Sequence, residues 1–271
     1  TMAVFHVDLY SNAIGRIIPM TAIVPIERQQ RPGGPKAEMP AEPFRALYLL
    51  HGYNGADTDW IRGSRIGQLA MEHNIAVFMP AGENSFYLDD PIRNANYSQL
   101  ICEELIAFTR AVFPVSTRCE DTYLGGFSMG GYGALRNGFF RSDVFHGIIA
   151  LSSAMIVDML PRMKAMAANN SVAPVSYYEH TFGPLDEVPG SDRDPKALAK
   201  RIIDEQLPRP HLFMACGTED FGIESNRQFS SYLNEIGYEH EFYTSPGVHN
   251  WAFWDEYIEK ALHWIDGLTE R

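Results

Sequence analysis

Apolar and polar positions along this chain fall into two alternating kinds of run. Short continuous apolar stretches, Ala46 to Leu50, Ile75 to Met79, Thr122 to Phe127, Phe145 to Leu151 and His211 to Cys216, have the length of strands buried on both faces. Between them apolar residues recur at helical spacing. These are Ile66 to Glu72, then Ile101, Leu105, Phe108 and Val112, then Ile223, Phe229, Tyr232, Leu233 and Ile236, and last Trp254, Tyr257, Ile258, Ala261, Leu262 and Ile265. Glu241 to Tyr243 adds one more strand. Strand followed by helix, repeated in this way, predicts an α/β fold with a mostly parallel central sheet and helices on both faces. The start of the chain departs from that rhythm. Val4 to Leu9 alternates in character, Arg16 to Pro25 is a second β-rich stretch, and Asn12 to Gly15 carries turn residues, so an antiparallel hairpin is expected at a sheet edge.

Two stretches fit neither pattern. Glu27 to Pro43 is charged and rich in proline and glycine, with nothing apolar to bury, and reads as an exposed loop. In the second, Met155, Met159, Met163 and Met166 lie at helical spacing and a passage rich in proline, glycine and aspartate follows around Pro184 to Pro195. A cap-like insertion at about 154–208 is expected there. Its methionines read either as ordinary packing or as one wall of an acyl pocket. The 271 residues, 45% hydrophobic, are enough for one large core, so a single domain over 1–271 is expected.

A net charge of −12 argues against nucleic-acid binding, which needs a basic face, and against anionic membrane surfaces. It leaves small neutral or acyl substrates open. Cys102, Cys119 and Cys216 are too few and too scattered for a disulfide framework or a metal cluster, and read as reduced thiols. No basic-plus-apolar leader precedes the first strand, and no apolar run reaches membrane-spanning length. The expected compartment is therefore the cytoplasm. The sequence leaves open whether the protein is a homo-oligomer.

The candidate chemistry begins at Ser128. In Gly126-Phe127-Ser128-Met129-Gly130 an apolar strand meets a serine flanked by glycines and continues into a helix, the pattern of a strained turn that exposes a nucleophilic hydroxyl. A serine hydroxyl is barely ionised at neutral pH and needs a base. Of nine histidines, His249 lies in Pro246-Gly247-Val248-His249-Asn250-Trp251, between the last strand and the last helix, at the carboxyl edge of the sheet. Asp220, just past another strand, would orient that imidazole, with Glu219 as its competitor for the role. Serine, acid, histidine is the chain order of α/β-hydrolases. Acyl transfer also needs oxyanion donors, and the amides of Tyr53 and Met129 are placed to serve. His51 reads as a brace for its loop.

Leu50-His51-Gly52-Tyr53-Asn54-Gly55, the run from Gly126 to Leu135, Gly217-Thr218-Glu219-Asp220 and Gly247-Val248-His249 occur here in one order. Together they resemble the esterase D group of α/β-hydrolases, most closely the bacterial tributyrin esterases and the related feruloyl and acetylxylan esterases, from about Phe5 to Ile265. The resemblance implies an α/β-hydrolase fold, a Ser128, Asp220, His249 triad, Tyr53 and Met129 as oxyanion residues, and no cofactor or metal. The S-formylglutathione hydrolases of the same group carry a Ser-Gly-Leu-Thr-Cys type of loop where this chain has His51 to Asn54. Thioester hydrolysis therefore stands second to carboxylester hydrolysis, and acyl transfer to an alcohol is a further alternative. Trp60, Tyr87 and Trp251 are candidates to bind an aryl or sugar moiety, or else local packing. The polar residues Asn54, Asn84, Asp89, Asp90 and Asn96, expected at the mouth, suggest a compact pocket for acyl groups from acetyl to butyryl.

Overall fold

The computed structural model describes residues 2–26, 43–163 and 172–269. Met166 and nearly all of the loop expected from Glu27 to Pro43 lie outside them. Eight strands form one sheet: β1 (Met2–Ser11), β2 (Arg16–Pro25), β3 (Arg45–Leu50), β4 (Ile75–Pro80), β5 (Thr122–Phe127), β6 (Gly147–Leu151), β7 (His211–Gly217) and β8 (Glu241–Ser245). Their order across the sheet is β1-β2-β4-β3-β5-β6-β7-β8. β2 runs antiparallel to both β1 and β4, and every pairing from β4 to β8 is parallel. β1 and β8 are the two edges. No residue of β8 is buried, whereas every residue of β5 is.

Strand periodicity divides the core in two, because successive side chains point to opposite faces of the sheet. Ala46, Tyr48 and Leu50 of β3, with Leu124 of β5 and Ile148 of β6, face one layer; Leu47, Leu49, Tyr123 and Ile149 face the other. The first layer is closed by α2 (Leu105–Val112), α3 (Met129–Phe140), α5 (Pro195–Asp204) and α6 (Ile223–Glu235). The second is closed by α1 (Ile66–Glu72) and α7 (Trp251–Thr269). Each fully buried Leu, Ile or Phe contributes about 1.5–3 kcal/mol relative to exposure, so both layers are needed to hold the sheet. Among the described residues no helix is long and apolar enough to cross a membrane.

Between β6 and β7 the chain leaves the strand-helix rhythm, and here one expectation is corrected. Met155, Met159 and Met163 do not share one helix: Met155 is irregular, Val157–Met159 is a 3₁₀ turn, and only Leu160–Met163 makes an α turn. Pro161 has no N–H to bond back into the preceding turn, so a helix begun at Ala154 could not run through it. Farther on come α4 (Val175–Phe182) and α5, whose first turn is capped by the Asp194 carboxylate accepting from the Lys196 amide at 2.9 Å, with Pro195 opening the helix. The segment is pinned to α3. Tyr132 donates to the Arg193 carbonyl at 2.5 Å, and Arg136 Nε donates to the Asp192 carbonyl at 2.9 Å.

Candidate active site

Ser128 joins β5 to α3 with φ 55° and ψ −119°, a conformation that costs a non-glycine residue of order 1–3 kcal/mol. Its neighbours hold it there. The Ser128 amide donates to the Leu151 carbonyl at 2.9 Å, and its carbonyl accepts from the amides of Tyr132 (3.1 Å) and Ala154 (2.9 Å). A Cβ on Gly126 would stand 2.4 Å from the Gly130 carbonyl oxygen. One on Gly130 would stand 2.4 Å from that of Leu50. Both glycines of the motif are thus required by the close approach of α3 to β3 and β5.

His249 reaches Ser128 from the loop after β8. Its Nε2 lies 2.9 Å from Ser128 Oγ and its Nδ1 lies 2.8 Å from Asp220 Oδ2. Asp220, 2% exposed, also accepts the Gly222 amide at 2.7 Å. Burial alone would raise its carboxyl, but the His249 and Gly222 hydrogen bonds and the facing imidazole outweigh that and hold it below the ordinary range. The acid therefore stays ionised where it meets the ring. Phe221 tilts over the imidazole at 4.4 Å between centroids, and Trp254 meets it edge-on at 5.0 Å. Glu219, the competitor, faces elsewhere. It accepts the Gly247 amide at 2.6 Å and the Thr218 hydroxyl at 2.9 Å, and its own amide donates to the Gly247 carbonyl at 3.0 Å. It clasps the loop carrying Asp220 to the loop carrying His249.

Tyr53 and Met129 line the same cavity as Ser128, and no acceptor among the described residues takes up either amide. Asn54, at φ 60°, stabilises the Tyr53 loop by a reciprocal pair with Asn84: its amide donates to Asn84 Oδ1 at 2.7 Å and its Oδ1 accepts Asn84 Nδ2 at 2.8 Å. His51 braces the loop from below, as expected. Its Nδ1–H donates to the Gly52 carbonyl at 2.7 Å, and Nε2 accepts the Gly82 amide at 2.8 Å. Burial lowers the pKa of His51 from its usual 6.5, against smaller raising effects of Gly52 and nearby aspartates. The folded state therefore favours the neutral ring. Its contribution to stability is present above about pH 6.5 and is lost as the pH falls toward the lowered folded value, because only the unfolded chain binds a proton in that window. The thermal midpoint of His51→Asn is expected to drop less between pH 7.5 and 5.5 than that of the wild type. Parallel curves for the two proteins would refute the neutral brace.

The cavity at Ser128 has a volume of about 350 Å³ and a largely apolar lining, from Tyr53, Phe86, Met155, Ile156, Met159, Tyr178 and Phe221, interrupted by Asp158, Glu224 and Gln228. Most of the apolar set was not foreseen from sequence. Trp60, Tyr87 and Trp251 are not on this wall. Trp60 is buried beneath the Leu50 loop, its indole N–H donating to the Leu50 carbonyl at 3.2 Å. Tyr87 is buried against Gly82 and Gly133 with its hydroxyl donating to the His51 carbonyl at 2.9 Å. Trp251 packs edge-on to Trp60 and Phe127. All three support the loops around the site. Asn84, Asp89 and Asp90, expected at the mouth, belong to a separate polar cleft of about 700 Å³; Tyr53 lines both.

The profile of a family described as "Putative esterase" matches residues 34–265. An acetyl esterase from Caldicellulosiruptor saccharolyticus is 39% identical over 269 residues, covering 99% of this chain and all of that protein. Among solved structures, an S-formylglutathione hydrolase, FrmB, from Staphylococcus aureus superimposes with a TM-score of 0.81 at 30% identity, over 98% of this chain and 99% of the other. A ferulic acid esterase superimposes with a TM-score of 0.71 over 99% of each chain; at 19% identity this likeness concerns the fold alone.

Proposed function

The chain belongs to the esterase family, and on that premise we propose that it hydrolyses short-chain acyl esters through a Ser128, His249, Asp220 acyl-enzyme mechanism. The observation that carries the reading is the hydrogen-bonded run from Ser128 Oγ through His249 to the buried Asp220, opening on an apolar cavity. Ser128 attacks the ester carbonyl while His249 Nε2 takes its proton, and Asp220 stabilises the imidazolium that results. The amides of Met129 and Tyr53 hold the oxyanion. His249 then protonates the departing alcohol, and water repeats the sequence on the acyl-enzyme. The whole chain acts as one domain, with 154–208 as a cap supplying Met155 and Met159 to the acyl side.

Substrate size follows from the wall. Each buried methylene gains about 0.8 kcal/mol while apolar surface lasts, and in a cavity of about 350 Å³ whose lining includes Asp158, Glu224 and Gln228 that surface is limited. Hydrolysis is expected to be fastest for acetyl to butyryl esters and to fall beyond about eight acyl carbons, as that methylene gain is exhausted. The check is kcat/KM across p-nitrophenyl esters of rising length, with methyl ferulate alongside. A maximum at palmitate would sink the short-chain reading. A second reading, thioester hydrolysis, is favoured by the likeness to the S. aureus S-formylglutathione hydrolase. An S-acyl glutathione in the same panel, cleaved better than every oxygen ester, would put it first.

A further inference from the structure

β1 is an edge whose outer side meets no strand among the described residues. It is ten residues long and pairs with β2 in unbroken register from Met2↔Pro25 to Ser11↔Arg16. Proteins ordinarily blunt such an edge with lysine, proline, a bulge or short length, since it offers unpaired backbone groups to any passing strand. β1 has none of these, and Asp8 is its one formal charge. It also leaves apolar side chains in water: Val4 and Phe5 are each 41% exposed, Tyr10 is 62% exposed, and Ile17, the cross-strand partner of Tyr10, is 60% exposed.

We propose that β1 pairs antiparallel with β1 of a second copy of this chain, about a two-fold axis at Val7. The pattern of polar and apolar residues and the register point to a second copy. With Val7 on the axis, His6 faces Asp8 of the partner subunit, Val4 faces the partner's Tyr10, and Phe5 faces the partner's Leu9. Val4, Phe5, Leu9 and Tyr10 then meet apolar partners, His6 and Asp8 meet each other, and Ala3 faces the partner's Ser11. A slip of two residues in one direction sets Asp8 against the partner's Asp8. The same slip in the other direction sets His6 against the partner's His6 and Asp8 against the partner's Val4. Slips of one residue oppose Phe5 or Val7 to the partner's Asp8. Only one register is self-complementary, a property that a strand from an unrelated protein would not share. It also sets an imidazole, rather than a second carboxylate, opposite Asp8 at the seam between two chains of net charge −12. The candidate catalytic residues follow β5, β7 and β8, toward the opposite edge, so the pairing leaves the cavity open.

The test is sedimentation velocity of the full chain, with ester hydrolysis confirming that each variant is folded. The wild type is expected at twice the chain mass of 30.5 kDa. His6→Asp, which opposes two carboxylates at each of two places, is expected to weaken the dimer by about tenfold or more. His6→Asp combined with Asp8→His restores the pairing with the charges exchanged, and is expected to return the wild-type mass. Val4→Lys, at a solvent-exposed position, gives an independent disruption. A wild type that stays monomeric at every concentration the protein tolerates overturns the proposal. So does a multimer indifferent to His6→Asp and Val4→Lys, or an active double variant that fails to re-form the dimer.

Discussion

Ser128→Ala is expected to lower kcat by about a million-fold, the order of loss when a triad's nucleophile is removed, while leaving the fold in place. The serine contributes a single oxygen to the site, and alanine keeps the Cβ and the φ of 55° that the Leu151 and Tyr132 hydrogen bonds impose. Such a loss corresponds to about 8 kcal/mol of transition-state stabilisation. The residue left behind still has the Met129 and Tyr53 amides beside it, so a trace of hydrolysis above the uncatalysed rate should remain. The measurement is p-nitrophenyl acetate turnover, with the melting curve of each protein as the control for folding. Hydrolysis at the wild-type rate by a well-folded variant would remove Ser128 from the chemistry.

The second large effect is expected at Asp220. Asn in its place preserves shape and still accepts the Gly222 amide, but it loses the charge facing the imidazole and can present N–H to Nδ1, favouring the wrong tautomer. A fall in kcat of about 10³ to 10⁴ is expected. Glu219→Gln is the informative contrast. The new amide oxygen can still accept from Gly247, so the clasp between the two loops survives and the rate should change far less. The reverse ranking, with Glu219→Gln crippling and Asp220→Asn mild, would mean that Asp220 is not the acid.

Much of this arrangement was legible because the physics behind it is local. A run such as Leu47-Tyr48-Leu49-Leu50, four residues long and bounded by turn residues, reads as a strand covered on both sides, and the glycines around Ser128 mark where the backbone passes too close to its neighbours for a Cβ. The choice between Glu219 and Asp220 was narrowed but not closed, because both follow the same strand and only the path of the next loop decides which carboxylate meets His249. Trp60, Tyr87 and Trp251 show what sequence does not supply. An aromatic with a polar tip reads alike whether it lines a cavity or supports a loop, and each of these rings is placed by contacts with distant segments. Phe221, 79% exposed and resting on the imidazole, was missed for the same reason: nothing local marks an apolar residue after the acid as a cavity wall. The methionine spacing misled because Pro161 interrupts the helix that would have aligned it.

The position of β8 has a consequence for how the activity fails. Ser128 hangs from β5, which has a strand on each side, whereas His249 follows β8, which among the described residues is paired on one side only and buries none of its residues. Fraying in proteins begins where backbone hydrogen bonds are open to solvent and few apolar contacts resist, at free energies well below that of global unfolding. Under heat or denaturant His249 is thus expected to leave Ser128 while Ser128 is still held between its strand and helix and both apolar layers remain closed. Activity is therefore expected to fail at a lower temperature than the fold, and reinforcing that strand, rather than the core, to raise the temperature at which it fails.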